Sequence, residues 1–187
     1  NVVDPLEYIE KYGKDALRYY LLREIPTMDD GDFSHNRFVD IYNSELANSL
    51  GNLVNRVLTM VQRYADSKVP PAQVDDVVAK KVEDIFSRYG GAFVTFDLKS
   101  ACECVVELTN FANKYIDDKK PWVLAKENDV NLQNVLYNLL EIVRVLSILL
   151  APILPVPSER IAQCLGIESS DLVFEKGFGI LKEGTAI

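Results

Sequence analysis

Residues 130–150 read VNLQNVLYNLLEIVRVLSILL, and this stretch decides the fold. Leu136, Leu139, Leu140, Val143, Leu146 and Leu150 recur three and four residues apart, the spacing of a helical stripe. It is the most apolar segment of the chain, so the helix it predicts belongs at the centre of a bundle. Pro152, Pro155 and Pro157 close it, and a shorter helix is expected from Ser158 to Leu165, with Gly166 past its end.

Three further helical patterns lie upstream. From Ser34, an N-cap residue type, one runs to about Asp66 with Leu46, Leu50, Leu53, Val57, Met60 and Tyr64 on one face, and Pro70-Pro71 ends it. At ~1.5 Å per residue that helix is roughly 45 to 50 Å long. A second covers about Val74 to Tyr89 and is expected to stop at Gly90-Gly91; a third covers about Thr95 to Asp118, with Leu98, Ala101, Val105, Leu108, Ala112 and Tyr115 facing inward. Long helices joined by short Gly- and Pro-containing loops predict an all-α antiparallel bundle of about five long helices. Residues 1–32 differ in character. Asp4-Pro5 opens a short helix, Gly13-Lys14-Asp15 caps the run Ala16 to Arg23, Pro26 stops it, and Met28 to Asp32 forms an acidic loop. The expected division is a connecting module over 1–32 and a bundle over 33–187, whose tail from Leu172 packs back as a loop or short strand.

Composition narrows the chemistry. The 187 residues carry a net charge of −8, which argues against a protein that coats DNA or RNA and confines any nucleic-acid contact to a local patch. The most basic stretch is Lys114 to Lys126, with Lys119 and Lys120 also suited to a helix C-terminus as plain solvated charge. No run of eighteen apolar residues is present, so no membrane partner is expected. The chain opens at Asn1 without Met or a leader pattern and reads as a fragment of a longer protein. Three cysteines, Cys102, Cys104 and Cys164, cannot all pair; Cys102 and Cys104 are expected as small core residues in a reducing, cytoplasmic setting, with no metal. His35 is the sole histidine, there is no Gly-x-x-x-x-Gly-Lys loop, and the carboxylates scatter over polar helix faces. No catalytic residue and no cofactor of its own are expected.

Two short signatures remain: Gly51-Asn52-Leu53-Val54-Asn55-Arg56, and Pro121-Trp122 followed by Val123-Leu124-Ala125-Lys126. Asn52 and Arg56 fall on one helix face about 6 Å apart along the axis. An amide and a guanidinium there suit a base edge or its phosphate, and Trp122 offers a stacking face for an unpaired base. Asn48, Pro121 and Lys126 are candidate supporting residues. The plainer alternative makes Asn52 and Arg56 surface polar residues and Trp122 a core anchor.

These motifs, together with Tyr42-Asn43-Ser44-Glu45-Leu46-Ala47-Asn48-Ser49-Leu50 and Asn113-Lys114-Tyr115-Ile116-Asp117, resemble the C-terminal, anticodon-binding region of the methionyl-tRNA synthetase family, within class I. The opening, with Tyr12-Gly13-Lys14-Asp15-Ala16-Leu17-Arg18, is similar to the segment after the KMSKS loop in class I synthetases. The resemblance implies a stem-contact module over 1–32 and a bundle that reads the CAU anticodon of tRNA(Met) through Asn52, Arg56 and Trp122. It implies a catalytic domain of the same chain as a partner, with ATP and Mg used there. HIGH, KMSKS and the zinc-bearing insertion are absent from these residues, so this chain alone is expected to be inactive. Two other readings stay open: the equivalent domain of another class I synthetase, and a helical scaffold that docks a partner helix. A solvent-exposed indole beside Arg56 favours RNA; one buried in the core favours the scaffold.

Overall fold

In the computed structural model, which describes residues 3–28, 30–174 and 177–187, helices begin where the sequence supplies a cap. Asp4 accepts from the Leu6 amide to open α1 (Pro5–Tyr12), and α2 (Lys14–Glu24) follows directly after Gly13. Ser34 Oγ accepts from Arg37 N at 3.4 Å to start α3 (His35–Ile41). The helix then widens into a π-helical stretch, Tyr42–Gly51, and continues as α4 (Asn52–Tyr64). Asp75 caps α5 (Asp76–Val94) and Asp97 caps α6 (Leu98–Lys119). Next come α7 (Pro121–Glu127), α8 (Asn131–Leu150), α9 (Pro155–Cys164) and a 3-10 turn, Ser169–Asp171. Asn1-Val2 of the opening, Asp29 of the acidic loop and Glu175-Lys176 of the tail lie outside the described residues.

The chain is an all-α bundle around α8. Every residue from 135 to 150 is buried, and α8 packs against α4, α5, α6, α7 and α9. By length and composition alone α8 could cross a membrane, contrary to the sequence reading, but 89% of its apolar window is covered by the rest of the bundle. Cys102 and Cys104 are buried as expected, and burial pushes the Cys102 thiol up to about 12; Cys164 is exposed. Helix α2 is tied in at both flanks. Tyr19 donates to Glu45 Oε2 at 2.7 Å from a buried position that raises its phenol well above the ordinary range, and Arg23 donates to the same carboxylate. Arg18 donates to Pro152 O at 2.9 Å, while Asp15 Oδ2 accepts from Val156 N at 3.1 Å.

Four expectations need correction. Helix α5 runs through Gly90-Gly91 to Val94, because Tyr89 and Ala92 on either side of the pair are buried and tertiary packing outweighs the propensity cost. Helix α9 starts at Pro155, not Ser158: a proline in the first turn removes only an amide that has no helical partner, and Asp15 satisfies the amide of Val156 between the two prolines. The helix from Ser34 is not α throughout.

The fourth concerns the carboxylates, not all of which are solvated. Glu141 on α8 is fully buried, accepting from Arg144 Nε and Nη2 at 3.1 and 2.9 Å and from the amides of Gly179, Ile180 and Leu181. Arg144 in turn donates to Gly177 O at 2.6 Å. This cup pins the tail, whose end makes a single antiparallel bridge, Lys68 with Ala186, in place of a strand. Gly166, at φ +64, is required there: a Cβ would lie 2.8 Å from Ala186 O.

Candidate nucleic-acid interface

Trp122 owes its position to a sharp bend. Lys120 adopts a left-handed conformation (φ +46) that stops α6, and Pro121, at the first position of α7, restarts the chain in a new direction. Pro121 is buried, so it acts on the backbone and not as a contact surface. Trp122 beside it is 46% exposed, with no ring partner and no acceptor for its indole N–H among the described residues.

Asn52 is the first residue of α4, exposed, with the oxygen and nitrogen of its side-chain amide free of partners among the described residues. Leu53, Val57 and Val61 of the same helix are fully buried, and their anchoring fixes which side of α4 faces outward. Asn48, one turn earlier in the π-helical stretch, is likewise exposed and unpaired; Lys126 on α7 is exposed.

Arg56 is held differently. Its Nη2 donates to Asp117 Oδ1 at 3.0 Å and its Nη1 to Asn113 Oδ1 at 3.4 Å, both from α6, with 31% of the side chain exposed. Asn113 Nδ2 reaches on to Ser49 O at 3.5 Å and Thr109 O at 3.2 Å, so one amide joins the Arg56 guanidinium to the π-helical stretch. The structure thus places Asn52 and Arg56 one turn apart on α4 and links Arg56, through Asp117 five residues before Trp122, to the end of α6. No hydrogen bond or cation–π contact joins Trp122 to Arg56 among the described residues. Reading the sequence missed the bracing role of Asn113 and Asp117, since partners 57 and 61 residues away leave no local signal.

Charge around the bend is mixed. Lys114 and Lys120 are exposed without partners among the described residues, whereas Lys119 lies 3.8 Å from Asp75 and 5.3 Å from the centre of the Tyr115 ring. Burial, and then the Asp75 carboxylate that accepts its hydroxyl, raise the Tyr115 phenol well above the ordinary range. Gln73, Asp75, Lys119 and Asn134, with Leu124 and Val135, line a cavity of about 490 Å³ of mixed polar and apolar character. No group of three or more His, Cys, Asp or Glu suited to a metal occurs among the described residues.

Comparison with known proteins gives this geometry its context. Residues 1–58 match the family of class I tRNA synthetases (M), and residues 75–183 match the anticodon-binding domain of tRNA ligases. The chain is 42% identical over 172 residues to a methionine-tRNA ligase of Synechocystis sp., covering 89% of this chain and 32% of that protein. It is 38% identical over 194 residues to one of Caldanaerobacter subterraneus, covering 100% of this chain and 30% of that protein. The chain therefore spans about a third of the length of these relatives. The crystal structure of apo Mycobacterium tuberculosis methionyl-tRNA synthetase superposes with a TM-score of 0.92 at 33% identity, over 100% of this chain and 39% of that one. The chain belongs to the methionyl-tRNA synthetase family, in which it corresponds to the helical region carrying the anticodon-binding domain.

Proposed function

We propose that the face formed by α4 and the α6–α7 bend reads the CAU anticodon of tRNA(Met). One observation carries this reading: Asn52 and Trp122 are exposed and their side chains have no hydrogen-bond partner among the described residues, while Arg56 is held ready by Asn113 and Asp117. A surface that leaves an amide and an indole free suits splayed single-stranded bases, which are recognised by stacking and by hydrogen bonds to their edges. Trp122 supplies the stacking plane, Asn52 the directional amide, and Arg56 a charge for a base edge or phosphate. The exposed indole also speaks against the scaffold reading, which wants it in the core.

The longer protein of which this chain is a part, on this reading, attaches methionine to tRNA in the cytoplasm with ATP and Mg, the chemistry residing in a catalytic domain outside these residues. This chain alone contributes recognition and neither activates nor transfers methionine. The test is binding to anticodon stem-loop RNAs that differ only in the anticodon. A preference for CAU is expected; equal affinity for all of them refutes the reading.

A further inference from the structure

We propose that Gly51 is a positioning residue for anticodon reading: it admits the π-helical register that aims Asn52. The inference rests on the reading of Asn52 as a base contact and extends it to a residue that carries no side chain. Three observations support it. The Asn52 N–H is shared between Ala47 O, five residues back, and Ser49 O, three back, so the reader is the first residue beyond the wide turn. A Cβ on Gly51 would lie 3.1 Å from Leu46 O, again five residues back, and a backbone carbonyl inside a helix has little room to give. Finally, Phe38, Tyr42, Leu46 and Leu50 follow one another in steps of four, all packed in or against the core.

Those steps explain why the stretch exists. In an α-helix each step of four residues advances about 40° beyond a full turn, so three such steps carry a stripe roughly 120° around the axis. A wider turn keeps the four side chains on the core. Both ends are then pinned: Phe38 and Ile41 are 1% and 2% exposed, and Leu53 and Val57 are wholly buried. The extra residue is stored between them, next to Asn48 and Asn52; at ten residues the stretch exceeds the usual single-turn bulge, a feature frequent at functional sites. Helix α6 braces the stored turn, through Asn113 Nδ2 to Ser49 O at 3.5 Å and a Ser49 Oγ to Asn110 Oδ1 contact of 3.3 Å.

A methyl group at position 51 presses on Leu46 O and favours the ordinary i to i−4 pattern. One residue of re-registration corresponds to about 100° of rotation and 1.5 Å of rise, so even a fraction of it turns the Asn52 amide away from a base edge. The gain in helix propensity, about 1 kcal/mol, offsets part of the packing lost as the stripe turns from the core, so the chain should still fold.

The experiment compares Gly51→Ala and Asn52→Ala chains with the unmodified one, using CAU and altered-anticodon stem-loops, a melting curve and a crystal structure of Gly51→Ala. The expected result is a folded Gly51→Ala chain that has lost the Asn52 N–H to Ala47 O bond and roughly fivefold of its CAU preference, within the range of one base contact. Full preference in Gly51→Ala alongside a loss in Asn52→Ala overturns the positioning role alone. No loss in Asn52→Ala overturns the reading beneath it. Lost preference with the Ala47 bond intact also overturns the proposal, since the methyl then acts by meeting RNA. So does a Gly51→Ala chain that is unfolded at the assay temperature.

Discussion

Two polar clusters of this molecule, the Glu141 cup and the Asn52–Arg56–Trp122 face, use hydrogen bonds to opposite ends. Around Glu141 every partner is internal: Arg144 and three successive tail amides converge on one buried carboxylate. On the α4 face an amide and an indole are left unpaired in water while only the guanidinium between them is fixed. A closed cluster holds the chain together and reads nothing; an open one adds little to stability and is available for a ligand. The difference follows from burial, because an unpaired polar group is costly inside and nearly free outside.

Substitutions can set the two clusters against each other. The largest effect is expected from Glu141→Ala, which strands Arg144 and three amides in the interior: about 3 to 5 kcal/mol lost in urea denaturation, with the anticodon preference of the remaining folded protein unchanged. Trp122→Ala should do the reverse. It is expected to weaken stem-loop binding by about 1 to 3 kcal/mol and leave the melting temperature in place; a large melting shift would return Trp122 to a structural role.

Asn52→Ala and Arg56→Ala sharpen the comparison within the open face. The first should reduce discrimination among anticodons by about 1 to 3 kcal/mol if its amide makes a bidentate base contact. The second should weaken every stem-loop alike and reduce the slope of affinity against salt by about 1 if Arg56 meets a phosphate. Affinities across a salt series decide both.

The smallest expected effect lies in neither cluster. Arg37 pairs with Glu24 at 2.9 Å through two bonds and, as the leading cause, holds the Glu24 carboxyl below its ordinary range. A carboxyl lowered in the folded state adds stability above its unfolded titration and loses it as the pH falls through the folded value. Glu24→Gln should therefore cost about 0.5 kcal/mol at neutral pH, and the gap between variant and parent should close in acid.

Local chemistry made most of the bundle legible beforehand. Ser34 and Gly166 marked helix ends through caps and turns that depend on a few neighbouring residues. Gly90-Gly91 and Pro155 misled because the same local rules were overruled by partners far along the chain, the core around α5 and Asp15 respectively. The π-helical stretch was written in the 38, 42, 46, 50 spacing, yet a search for three-and-four periodicity passes over unbroken steps of four. Asn52, Arg56 and Trp122 stood out as part of a motif. Their individual chemistry, with Asn52 free and Arg56 braced, required the fold, as did the burial of Glu141.

The contacts of Asp15 with Val156 and of Arg18 with Pro152 carry a consequence for synthesis. The two partners are separated by 141 and 134 residues, so α1 and α2 leave the ribosome long before α9 exists. At 5 to 20 residues per second the interval is about 7 to 28 s. Throughout it Leu17, Tyr19 and Tyr20, buried in the finished bundle, have only early neighbours to cover them. During that interval the nascent chain is a natural client for chaperones, and a pause in translation anywhere between α2 and α9 lengthens its exposure.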